Sequence, residues 1–124
     1  MINNYSGTEK DIHERIFNYV VIGLKVIKTI PKTPENLPII SQVSSSLTSI
    51  GANDQEADAA VTKRDFTSKY SIVRKETHET VYWWKVLKET GFTHKDLDWL
   101  IKEGREIFFV VSKIISNTKI NIAN

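Results

Sequence analysis

The chain has 124 residues and a mass of 14.2 kDa, with 40% hydrophobic and 26% charged residues, which suits one globular domain and excludes a disordered chain. Cysteine is absent, so disulfides, thiolate metal sites and cysteine nucleophiles are excluded, and 5 Gly with 3 Pro are too few for an all-β or loop-rich fold. Seventeen basic against 15 acidic residues leave a formal net charge of +2, too balanced to imply a polyanion partner by itself. The opening residues lack the basic start and apolar stretch of a signal peptide, and no apolar run approaches the ~20 residues of a membrane span. A cytoplasmic protein with no membrane partner is the expectation.

Residues 1–10 read as a flexible N-terminus. The first helix is expected over 11–30, where Ile12, Ile16, Tyr19, Gly23, Val26 and Ile30 recur at spacings of four and three. Phe17, Val20, Val21, Leu24 and Ile27 widen that stripe past one face, as in a helix covered on more than one side. Pro31 stops it. The second helix is expected over 34–60, with Thr33 as N-cap and Pro34 in the first turn. Its stripe is Ile40, Val43, Leu47, Ile50 and Ala57, with Asp54 interrupting, beside a polar row of Ser46, Ser49, Asn53 and Glu56.

The third helix is expected over 62–90, ending at Gly91. Its stripe (Phe66, Tyr70, Val73, Thr77, Thr80, Trp84, Leu87) suits packing against near-parallel neighbours, with Ile72, Glu76, Glu79, Trp83 and Val86 alongside. The fourth is expected over 94–117, with Thr93 as N-cap, Asp96 completing a capping box, and a stripe of Leu97, Ile101, Gly104, Phe108, Val111 and Ile115. Residues 119–124 should fray. Short loops between long helices imply antiparallel neighbours, hence an all-α, up-down-up-down, left-handed four-helix bundle over 11–118. Gly23, Gly51 and Gly104 read as points where helices approach closely. The first and last helices, with Trp83, Trp84, Trp99, Phe108 and Phe109, carry more apolar bulk than one slim bundle can hide. A subunit interface is therefore expected on the surplus.

Several stretches resemble a known family. They are Pro31 to Asn36, Gln42, Ser49 to Ala57, Lys63 to Phe66, Ile72 to Thr80 with Tyr82 and Trp83, and Asp11 to Phe17. Asn53-x-x-Glu56-Ala57 and Arg74-Lys75-Glu76-x-x-Glu79-Thr80 fall in order on the expected helices. Together they are similar to the four-helix-bundle proteins encoded in 23S rRNA intervening sequences, a family that includes the accessory variability protein of diversity-generating retroelements. The resemblance runs from about Asp11 to Ile115. It implies a bundle that assembles into a ring of five, a homopentamer, with no catalytic activity. Its retroelement members are strongly basic and bind nucleic acid and a reverse transcriptase. This chain differs in charge, and has Ser45 where the family often carries Arg.

Glu56, Glu76 and Glu79 are a candidate carboxylate cluster, but no Glu-x-x-His accompanies them, so neither a metal nor another cofactor is expected. A buried structural network of Ser49, Asn53, Glu56, Glu76 and Glu79, neutralised by Arg64, Arg74 or Lys75, is the preferred reading. His13, His78 and His94 stand on separate elements with no nucleophile motif, and the scattered glycines form no phosphate-binding loop. No catalytic residue is assigned and the protein is not expected to be an enzyme. Lys25, Lys28, Lys63, Arg64, Arg74 and Lys75 lie in stretches poor in acids and are the candidate contacts to RNA or DNA phosphates, multiplied by oligomerisation. The function expected is a non-enzymatic, homo-oligomeric bundle acting as a nucleic-acid-binding or rRNA-associated accessory. The alternative is a structural protein–protein interaction module that binds no nucleic acid.

Overall fold

Strict 3–4 periodicity makes each segment a helix, because only that winding puts all its stripe residues on one side. The computed structural model describes the backbone of residues 4–123 and the side chains of residues 12–119. Within them every regular element is a helix: α1 (Asn4–Ile27), α2 (Asn36–Asp58), α3 (Lys63–Glu89) and α4 (Leu97–Ala123). Each helix packs on those before and after it in the chain, and α1 closes the square on α4. The diagonal pair α1 and α3 meets through side chains, with the Trp84 indole on the Tyr19 hydroxyl. The four stripes face the centre, except that Phe108 of the expected α4 stripe lines the outer flank between α3 and α4. Ile12, Ile16, Tyr19 and Val26 from α1 meet Val43, Leu47 and Ile50, then Tyr70, Val73, Trp84 and Leu87, then Leu97, Leu100, Ile107, Val111 and Ile115.

The helix ends follow local chemistry. Thr33 Oγ1 accepts from the Asn36 amide at 3.2 Å, and Thr62 caps α3 by accepting from the Asp65 amide at 3.1 Å. Gly91, at φ 104°, ends α3 with the Gly91 amide on the Lys88 carbonyl and the Phe92 amide on the Leu87 carbonyl. Four boundaries differ from expectation. The helix α1 starts at Asn4, inside the stretch read as flexible, and stops at Ile27, where Thr29 Oγ1 takes the Val26 carbonyl ahead of Pro31. The Thr93 cap does not form; instead His94 Nδ1 accepts from the Asp96 amide, and α4 opens at Leu97. The same helix continues to Ala123, past the expected end at 117. Residues 28–35 and 90–96 are thus longer connections than the sequence suggests, while 59–62 is short.

Two glycines are required by packing. A Cβ on Gly104 would collide with the Tyr19 hydroxyl and with Val81, and one on Gly23 would collide with Leu47. A Cβ on Gly51 would stand 3.3 Å from Val20 Cγ2, closer than ordinary packing, so the valine would have to give by a few tenths of an ångström. Among the described residues, no helix is long and apolar enough to cross a membrane.

Candidate functional site

The interior holds polar groups, and these decide which parts of the sequence are structural. Asp54, 1% exposed, interrupts the α2 stripe. A buried carboxylate must be paired and hydrogen-bonded. His13 of α1 brings Nδ1 to 2.9 and 3.0 Å from its two oxygens, and the Tyr70 hydroxyl of α3 donates to Oδ1 at 2.7 Å. His13 Nε2 lies 3.3 Å from Asp58 Oδ1, so both ring nitrogens donate to carboxylates when the ring is protonated. This clamp ties three helices at one end of the bundle, and both Asp54 oxygens are occupied.

A neutral set stands further along. Trp84 Nε1 donates to the Tyr19 hydroxyl at 3.0 Å, which donates to the Leu100 carbonyl at 2.9 Å. Burial pushes the Tyr19 phenol above its ordinary pKa, partly offset by the bond from Trp84 and reinforced by Glu103. Thr80 and Ser46 join α3 to α2 at 2.7 Å. On the rim, Arg15 forks onto both oxygens of Glu103 at 2.8 Å, linking α1 to α4.

The five-residue network read from the sequence does not assemble. The Ser46–Thr80 and Asp54–Tyr70 pairs set the α2–α3 register, and in that register Glu56 faces Lys69 at 3.0 Å, well exposed, rather than Glu76. Asn53 donates to the Ser49 carbonyl and hydroxyl on its own helix. Glu79 accepts from Trp83 Nε1 at 3.2 Å. Among the described residues, no cation comes within ion-pair distance of Glu76 or Glu79, so the direct neutralising pairs expected from Arg64, Arg74 or Lys75 do not form. Burial raises the Glu76 carboxyl above its usual range, the nearby Glu79 adds to this, and Lys75 opposes it. No group of three or more His, Cys, Asp or Glu among the described residues is placed to hold a metal ion.

The six cations proposed for phosphate contacts do not share one patch in a single copy. Lys25 and Lys28 stand where α1 ends and Lys63 and Arg64 where α3 begins, at opposite ends of the bundle; Arg74 and Lys75 lie further up α3. None makes an ion pair among the described residues, whereas Lys69 and Lys88 are paired, with Glu56 and Asp98, and each pairing raises the lysine pKa.

Sequence reasoning missed a groove on the outer face of α3 and α4. His78, Tyr82 and Lys85 border it from α3, and Arg105, Phe108 and Phe109 from α4, around a volume of 310 Å³. Tyr82 is 56% and Phe109 66% exposed. The signal was present on each helix alone, as an aromatic residue three or four places from a cation, but residues 82 and 109 are joined only by the fold.

Four antiparallel helices cross-pinned by buried polar pairs define a small helical-bundle protein. Within that class the chain belongs to the 23S rRNA-intervening sequence protein family, which it matches over residues 9–113. It is also similar to a protein of unknown function from the S23 ribosomal protein family of Bacteroides thetaiotaomicron VPI-5482. That crystal structure superposes with a TM-score of 0.79 at 27% identity, covering 88% of this chain and 98% of that one. No curated protein matches.

Proposed function

We propose that this protein is a non-enzymatic, homo-oligomeric accessory that docks nucleic acid, acting in the cytoplasm. Its assembly rests on one observation: α1 keeps Phe17 71% exposed, with Val20, Val21 and Leu24 only partly covered, after the core is complete. Such a face is stabilised by a second copy. A ring, five copies in the form the family resemblance implies, would bring cations of neighbouring copies together and carry a formal charge five times that of one chain. The mechanism is geometric, since apolar helix faces close the assembly and basic side chains hold phosphates. Light scattering tests the assembly. A mass several times 14.2 kDa is expected, with Phe17→Asp lowering it; a single-chain mass at all concentrations overturns the ring.

The spread of Lys25, Lys28, Lys63 and Arg64 over both ends of one copy favours a second reading, a protein–protein interaction module. Binding to RNA and duplex DNA across a salt series separates the two. Nucleic-acid docking predicts affinity that falls steeply with salt, and the interaction module predicts none at low salt.

A further inference from the structure

The groove between α3 and α4 joins two features that do not occur together in the core. It presents ring surfaces to solvent, Tyr82 and Phe109, and its charged lining is cationic, from Lys85 and Arg105, with no carboxylate. Glu106 is adjacent in sequence but does not line it. Lys85 and Arg105 have no ion-pair partner among the described residues, so their charge is not spent within the molecule. The rings are braced from beneath. Phe108 packs against His78 at 5.5 Å between centroids and edge-on to Phe109 at 5.9 Å, and Tyr82 stands edge-on to Trp83 at 4.9 Å. The volume of 310 Å³ is at the small end of ligand sites, which start at about 300 Å³.

The cationic track extends beyond the rings. On α3, Lys75, His78, Tyr82 and Lys85 follow one another at spacings of three and four, on one exposed row of about 15 Å at ~1.5 Å per residue. The contact of His78 with Phe108 fixes the antiparallel register, and Lys113 of α4 falls about one turn beyond Phe109 in the direction of Lys75. Cations therefore stand on both sides of the stacking rings.

We propose that this groove binds single-stranded nucleic acid, stacking unpaired bases on Tyr82 and Phe109 while Lys85 and Arg105, with Lys75 and Lys113 beyond, hold the flanking phosphates. The assignment rests on the nucleic-acid reading above and names its substrate class. An aromatic, anionic ligand matches both halves of the lining: flat rings take a base face of any sequence, and the cations take the backbone. A duplex cannot use the rings, because its bases are already stacked on one another and its accessible groove shows sugars and edges.

The test is fluorescence anisotropy with a labelled oligouridylate and, separately, a labelled RNA duplex of the same length, each over a salt series. The single strand should bind more tightly. Tyr82→Ala and Phe109→Ala, both at exposed positions, should each weaken it about tenfold, and Tyr82→Phe should restore it, because the ring rather than the hydroxyl carries the stack. Lys85→Gln with Arg105→Gln should flatten the slope of log affinity against log salt by about 1.4, the loss of two phosphate contacts at ~0.7 each. Duplex binding without single-strand binding, or alanine variants that bind normally, would overturn the groove and leave the broader reading standing. No binding to either probe would remove both. If the alanine variants break up the oligomer and leave oligouridylate binding intact, the groove is an interface between copies and the assignment is wrong.

Discussion

Two buried polar clusters of this bundle do the same mechanical job with different chemistry. At one end His13, Asp54 and Tyr70 tie α1, α2 and α3 through a carboxylate. Further along, Tyr19, Trp84 and the Leu100 carbonyl tie α1, α3 and α4 with neutral groups only. Both run through α1, the helix whose outer face stays partly uncovered. Apolar area alone would let such a helix rotate or slide, since burial has no direction. Hydrogen bonds made at one register do have direction, and any slip would leave Asp54 or the Trp84 indole unpaired. The comparison teaches that polar pins fix the register of α1, which apolar burial alone does not, and that the charged pin should cost more to remove.

Asp54→Ala is the strongest test. It removes the carboxylate that accepts from the Tyr70 hydroxyl and from His13, and should cost about 3 kcal/mol in urea unfolding near neutral pH. Gly104→Ala attacks the neutral cluster from the side by driving a methyl into the Tyr19 hydroxyl and Val81, and should cost about 2 kcal/mol by the same measurement. Tyr19→Phe removes only the oxygen and leaves Trp84 Nε1 without its acceptor, at about 1–2 kcal/mol. If Tyr19→Phe proves as costly as Asp54→Ala, the contrast between charged and neutral pins is wrong.

The smallest effect has the opposite sign. Because burial raises the Glu76 carboxyl in the folded protein, the folded state binds that proton more tightly than the unfolded chain. Stability is then lost as pH rises from the unfolded pKa through the raised folded one. Glu76→Gln removes the loss, so the variant should melt slightly higher than the parent at neutral pH and alike in acid. A variant that is less stable at neutral pH would show that Glu76 is paired in solution.

The stripes on all four helices were readable because periodicity depends on each segment alone, as were the Thr33 and Gly91 signals at helix ends. Asp54 stood out as a charge in an apolar row, which demands a partner, but nothing local says that the partners come from residues 13 and 70. The carboxylate network was misjudged for the same reason. It required a register between α2 and α3 that Ser46, Thr80, Asp54 and Tyr70 decide, and of these Ser46, Thr80 and Tyr70 read locally as ordinary stripe and row positions. The α3–α4 groove joins side chains 27 positions apart, Tyr82 and Phe109, and only the antiparallel packing places Lys85 and Arg105 beside both.

The bond between Trp84 and Tyr19 has a practical outcome. Of three tryptophans, Trp84 alone is fully enclosed, and its indole nitrogen touches a side chain from the first helix. Lifting that helix would admit water to the indole and redden its emission, so the protein carries its own optical gauge of whether its first segment is seated.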